Sequence, residues 1–149
     1  MKAKTLRVSS VFPAAVDDIW NKIQRLETLQ YIAAPYATFT PQDKGMLLWQ
    51  KGHRADFQLK LFGLFPMGIH SIAVVQFDRD TLSIYTNERN RSVPVWNHRI
   101  LIEPTGAAAC RYTDEVEIMA GWKTIFVFWW SGLFYRHRQK KWKKLLAEK

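Results

Sequence analysis

The sequence predicts an α+β fold: a curved antiparallel sheet of about six to seven strands wrapped around one long C-terminal helix, with two short helices after the first strand. Three observations carry this reading. Ala120 to Lys149 holds the longest helical pattern and the densest aromatic content of the chain. Between Tyr36 and Met119 the hydropathy alternates with a period of two. Strands are thus grouped between helices without regular strand–helix alternation, the order expected when an antiparallel sheet covers a helix. At 149 residues, 48% of them hydrophobic, the chain is the size of a single domain spanning 1–149 with a substantial core.

Taken in order, Lys4 to Phe12 alternates loosely and reads as the first strand. Pro13 sits where a first helical turn accepts proline, Asp17 and Asp18 favour the early part of that helix, and Val16, Ile19, Trp20, Ile23 and Leu26 give the helical spacing. A second short helix, about Glu27 to Ile32, ends before Pro35, because the residue preceding proline avoids helical geometry. Ala55 to Phe62 then alternates, Gly63 to Gly68 forms a turn and a candidate lid, and strands follow from Ile69 to Phe77 and from Thr81 to Glu88. Pro94 to Glu103 and Ala108 to Met119 complete the set, joined by a turn at Pro104-Thr105-Gly106.

The last helix changes character along its length. Up to Tyr135 it is apolar on nearly every side; beyond, apolar residues recur only at Trp142, Leu145 and Leu146 among Lys and Arg. A buried first half and a solvated second half are expected. The apolar run Ile125 to Tyr135 is eleven residues, against roughly 20 for a bilayer span, which excludes a transmembrane helix here.

Other chemistries find little support. The lone Cys110 excludes an intrachain disulfide and points to a reducing compartment, the cytoplasm by default, with no targeting signal in the first residues. His53, His70, His98 and His137 are scattered without metal-ligand spacing, so no metal is expected, and no phosphate-cradling glycine motif or nucleophile elbow calls for a cofactor or a covalent mechanism. Of the net charge of +9, six units lie in residues 136–149, where Arg136, Arg138, Lys140, Lys141, Lys143, Lys144 and Lys149 face a single acid, Glu148. Such a run is the solvated end of a helix or a contact for an anionic membrane surface or RNA.

Several stretches resemble the START-like superfamily, also called Bet v 1-like or SRPBCC and including polyketide cyclase/dehydrase-like members. They are Phe12-Pro13-Ala14-Ala15-Val16-Asp17-Asp18-Ile19-Trp20 after the first strand, the hairpin Leu61-Phe62-Gly63 to Pro66-Met67-Gly68, the strand Tyr112-Thr113-Asp114-Glu115-Val116, and the long aromatic last helix. The resemblance covers essentially the whole chain. It implies a helix-grip fold with a cavity between sheet and helix that takes lipids, quinones, polyketides or other small hydrophobic ligands, and it names no reaction.

Candidate site residues follow from strand register. A turn at Pro104 to Ala107 sets Ile102 opposite Cys110, Ile100 opposite Tyr112, His98 opposite Asp114 and Trp96 opposite Val116, on a mostly apolar and therefore inner face. His98 and Asp114 are then cross-strand neighbours, either a working acid–base pair of a cyclase or dehydratase or two buried groups that satisfy each other. Pairing Phe77 with Leu82 puts Glu88 at the cavity mouth, within reach of Arg136, and His70 on the opposite, outer face. Trp20, Phe57, Trp96, Phe126, Trp129, Trp130 and Leu133 are candidate wall residues, with Tyr112, Glu88, His98 and Asp114 setting ligand orientation. The reading favours a binding or transport protein over an enzyme.

Overall fold

The computed structural model describes residues 2–148. The alternating segments form seven strands: β1 (Lys4–Phe12), β2 (Ala37–Pro41), β3 (Arg54–Leu61), β4 (Phe65–Asp78), β5 (Ser83–Arg89), β6 (Val95–Gly106) and β7 (Ala109–Met119). They lie in one sheet in the order β1-β7-β6-β5-β4-β3-β2, with every neighbouring pair antiparallel. The first strand therefore closes on the last, and the intervening hairpins fan out from β7 to β2. Helices α1 (Val16–Ile23) and α2 (Leu26–Ala33) follow β1, and a single turn of 3-10 helix (Gly121–Lys123) leads into α3 (Thr124–Ala147). This is the α+β helix-grip arrangement expected from the sequence.

Helix α1 begins at Val16, so Pro13 lies in the bend ahead of it rather than in its first turn; Asp17 and Asp18 occupy that turn and Ile19, Trp20 and Ile23 form its buried face. Two apolar clusters make the core. One gathers Leu6, Phe57, Trp96, Val116, Phe134 and Tyr135; the other gathers Phe12, Ile19, Trp20, Ile100, Tyr112 and Trp142. Helix α3 contributes to both and so ties them together. Trp142 is fully buried, with its ring 5.9 Å from Phe12 and 5.6 Å from Tyr112.

Two turns and one bulge differ from the sequence expectation, each for an identifiable reason. Between β3 and β4 the chain reverses at Phe62-Gly63, both at positive φ (54° and 69°), with the Leu64 N–H donating to the Leu61 carbonyl at 3.1 Å. Two such residues make the tight turn whose twist matches the flanking strands, so Phe65 to Gly68 run inside β4 rather than forming the expected lid. Between β6 and β7 the strand continues through Pro104-Thr105-Gly106, and Gly106 pairs with Ala109. The partners slide by two residues: Ile102 faces Tyr112, Ile100 faces Asp114 and His98 faces Val116. An even shift preserves the face, so the inner set is unchanged. Between β4 and β5 a bulge at Val74/Gln76 leaves Val75 unpaired. One extra residue reverses parity, which turns His70, Ile72 and Val74 inward and overturns the expected outward placement of His70.

Helix α3 does not divide into a buried first half and a solvated second half: both halves bury one face, with Thr124, Ser131, Phe134 and Tyr135 interior in the first. In its first half Ile125, Phe126, Trp129 and Leu133 are exposed, whereas in the second half Arg138, Gln139, Trp142 and Leu146 are buried. The buried positions follow the side of α3 that packs against β1, β7 and α2, while Arg136, Lys140, Lys143 and Lys144 stay exposed on the other side. Among the described residues, no helix is long and apolar enough to cross a membrane.

Candidate functional site

A cavity of about 470 Å³ lies between the concave face of the sheet and α3. Its walls are mainly aliphatic and aromatic: Ile72, Val74, Ile84 and Ile100 from the sheet, Ile23, Leu29 and Ile32 from α1 and α2, and Val127, Trp130 and Phe134 from α3. The α3 residues that line it run from Phe126 to Trp142, a path of roughly 24 Å at 1.5 Å per residue. Trp122 and Phe126 both line the cavity and are exposed, which marks its mouth.

A row of polar side chains crosses the inner wall from β4 to β7. It starts with Asn90, whose side-chain oxygen accepts from the backbone N–H groups of Ser92 and Val93 at 2.9 and 2.8 Å. That orientation turns the Asn90 amide NH₂ toward His70 Nδ1 at 2.9 Å, so the ring donates from Nε2 to Glu88 Oε1 at 2.8 Å. The other oxygen of Glu88 accepts from Thr86 Oγ1 at 2.6 Å and lies 3.8 Å from His98 Nδ1. His98 Nε2 donates to Asp114 Oδ1 at 2.7 Å, and Asp114 Oδ2 accepts from the Gln139 amide at 3.1 Å. Gln139 is fixed in turn by the Val8 carbonyl at 2.7 Å and by Ser10.

The electrostatics follow from this row. Burial alone pushes the His98 imidazole toward neutrality, but the carboxylates of Asp114 and Glu88 outweigh it and hold its pKa above the ordinary 6.5. Burial pushes the Glu88 carboxyl up, yet the hydrogen bond from His70, together with His98, holds it well below the usual carboxylate range. His98 therefore stands between two carboxylates that favour its protonated form. Burial raises the hydroxyls of Tyr112 and Tyr135, keeping both protonated, and the Tyr135 oxygen accepts from the Trp96 indole N–H at 2.9 Å. Arg138 is buried with its guanidinium carbon 5.0 Å from the Tyr135 ring centroid and 5.6 Å from that of Phe134. Burial opposes its charge, but Tyr135, Asp114, Tyr112 and Glu88 more than offset this.

The structure sorts the sequence candidates into three groups. Glu88, Trp96, His98, Tyr112, Phe126 and Trp130 line the cavity, and Asp114 stands directly behind His98, hydrogen-bonded to it from a diagonal rather than an opposite position. Trp20 and Phe57 are core residues away from the cavity wall: Trp20 packs edge-on against Phe77, and Phe57 packs on Phe39 and Trp49. Trp129 and Leu133 point outward, 74% and 54% exposed. Glu88 is engaged by His70 and Thr86 inside the wall, while Arg136 is exposed, so their expected pairing does not form. Arg138, grouped by sequence with the surface cations, is interior. Lys141 is half-buried with its ammonium 4.2 Å from the Tyr31 ring centroid, leaving Arg136, Lys140, Lys143 and Lys144 exposed.

His70, Asn90, Tyr135, Arg138 and Trp142 belong to the site without having been singled out for it. For Arg138 a signal was present: Tyr135, Arg138 and Trp142 fall at i, i+3 and i+7, one face of a helix. For His70 there was none, since a single bulge decides its side of the sheet.

A family model described as a domain of unknown function, DUF8410, matches residues 10–146. The chain belongs to the DUF8410 family. No match to this DUF8410 chain is found among curated protein sequences. Among solved structures it is similar to a protein from Chromobacterium violaceum, with 11% identity, TM-score 0.73, and 97% and 98% of the two chains covered. It is also similar to a START superfamily protein from Mycobacterium smegmatis, with 11% identity, TM-score 0.71 and 97% of both chains covered. Norcoclaurine synthase from Thalictrum flavum, in complex with dopamine and hydroxybenzaldehyde, aligns with 17% identity and TM-score 0.69 over 98% of this chain and 87% of the synthase. These likenesses establish a START/Bet v 1-like fold for the DUF8410 chain.

Proposed function

We propose that the protein binds a small, largely apolar molecule in the cavity between the sheet and α3. The observation that carries this is the cavity itself: about 470 Å³, walled mainly by aliphatic and aromatic side chains. That volume lies in the range of roughly 300–1,000 Å³ common to small-molecule sites. Affinity comes mainly from burying ligand apolar area, and the polar row orients what is bound. Native mass spectrometry of the purified protein, beside a denatured sample and an organic extract, is the test. An added mass that disappears on denaturation is the expected result. A clean apoprotein that also fails to bind lipids, quinones and aromatic acids added to it overturns the proposal.

The His98–Asp114 pair also raises a cyclase or dehydratase reading. An imidazole whose Nε2 is hydrogen-bonded to Asp114 and whose Nδ1 faces Glu88 supports an orienting role better than that of a general base, which must offer a free lone pair to the ligand. Turnover with a bell-shaped pH dependence, lost in His98→Asn, would favour the enzyme.

A second reading rests on a different observation. Trp122 on the 3-10 turn and Phe126, Trp129 and Leu133 on α3 are exposed, as are Phe62, Leu64 and Phe65 at the β3–β4 turn, and Tyr36 lies 5.3 Å from Phe62 and 6.4 Å from Trp130 of α3 by ring centroids. Exposed aromatics with nearby cations at Lys60, Lys123 and Arg136 suit a lipid headgroup layer better than RNA. Flotation with phosphatidylcholine vesicles, with and without phosphatidylglycerol, tests it. Recovery that rises with the anionic lipid and falls in Trp129→Ala supports the reading, and no recovery with either vesicle removes it.

A further inference from the structure

We infer that one end of the cavity is a carboxylate-binding subsite built from Arg138, Tyr112 and Trp142, so that the bound molecule is an amphiphilic acid. The inference rests on the cavity-binding reading and narrows it to a chemical class. All three residues line the cavity. Each is buried, at 6%, 0% and 0% exposure, and each holds a polar atom without a hydrogen-bond partner: Arg138 Nε, the Tyr112 hydroxyl and Trp142 Nε1. Arg138 and Trp142 stand one helical turn apart on α3, and the Tyr112 ring lies 5.6 Å from that of Trp142.

The chemistry of these atoms selects the ligand. A guanidinium Nε–H and an indole N–H only donate, and a protonated tyrosine hydroxyl can join them as a donor. Three such donors on neighbouring residues, one of them cationic, call for an acceptor, and a carboxylate accepts from several donors at once. The protein does not supply one. Among the described residues no carboxylate oxygen lies within 4 Å of an Arg138 nitrogen, and no hydrogen bond involves its side chain. Asp114 and Glu88 face the same region, but their oxygens are engaged by His98, Gln139, His70 and Thr86. The surrounding groups keep Arg138 charged without a hydrogen bond to it, so its guanidinium has no direct counter-ion. A ligand carboxylate supplies one, while its apolar part lies along the aliphatic wall toward Trp122 and Phe126.

The test compares dodecanoic acid with methyl dodecanoate, which has the same chain and no charge, by tryptophan fluorescence. The wild-type protein is expected to bind the acid at least about tenfold more tightly, the equivalent of about 1.4 kcal/mol. Arg138→Met is expected to abolish that preference while still binding the ester. Tyr112→Phe keeps the ring that stacks on Phe12 and is expected to weaken the acid several-fold without affecting the ester. Equal binding of acid and ester by the wild type overturns the subsite and leaves the cavity reading standing; binding of neither overturns both. A measurement that needs no variant is carbon-13 NMR of carboxyl-labelled dodecanoic acid on the wild-type protein. Against a guanidinium the bound carboxyl titrates below its free value, whereas titration at or above that value, as apolar burial alone produces, overturns the subsite.

Discussion

The two halves of α3 treat composition in opposite ways. The first half is almost wholly apolar yet leaves Phe126 and Trp129 67% and 74% exposed; the second is rich in cations yet buries Arg138, Gln139 and Trp142. In both halves the side that packs on the sheet and α2 is interior whatever its residue type, with Phe134 and Tyr135 in the first and Arg138, Gln139 and Trp142 in the second. The halves differ in what the outward side carries: Ile125, Trp129 and Leu133 in the first, Arg136, Lys140, Lys143 and Lys144 in the second. Residue type fixes what burial costs, and the neighbouring elements fix whether burial occurs.

The comparison is most directly broken at Trp142. Trp142→Ala removes the ring that joins Phe12 and Tyr112 in the second half, and a loss of about 3–5 kcal/mol is expected in urea denaturation. Asp114→Ala should come close to it, about 3–5 kcal/mol, because it leaves the His98 ring and the Gln139 amide without their buried acceptor. A loss under about 1 kcal/mol in either variant would mean that the packed side of α3 is less enclosed than described.

A smaller effect is expected from pH. Folding raises the His98 pKa above 6.5, so its contribution to stability is fully present below pH 6.5 and is lost as pH rises through the folded-state value. Folding depresses Glu88 below 4.5, so its contribution is present above pH 4.5 and is lost as pH falls through the folded-state value. Stability should therefore be greatest between about pH 4.5 and 6.5. His98→Gln should flatten the alkaline limb and Glu88→Gln the acid limb, as read by denaturation midpoints across pH. At the exposed end, Trp129→Ala should change stability by no more than about 0.5 kcal/mol. A larger loss would show that the rim belongs to the core after all.

Much of the architecture was legible from periodicity. The period of two between Tyr36 and Met119 and the long aromatic helix specified the sheet, its grip and the inner face that carries Trp96, His98, Tyr112 and Asp114. The His98–Asp114 contact survived an incorrect register because the slip was even. Glu88 was correctly turned inward, but its partner was not: the bulge at Val75 gave it His70 in place of Arg136. Arg138 was hidden by its company, since a cation in a run of lysines reads as solvated unless its helical position relative to Tyr135 and Trp142 is followed.

The sequence by itself determined the elements, their order and the faces of strands β6 and β7, because local periodicity and turn residues act over a few positions and need no distant partner. Only the tertiary structure decided the bulge that brings His70 inward, the enclosure that makes Arg138 interior and the exposure of Trp129. Those outcomes depend on the packing of segments far apart in the chain, and no local pattern encodes which turns of a helix its neighbours will cover.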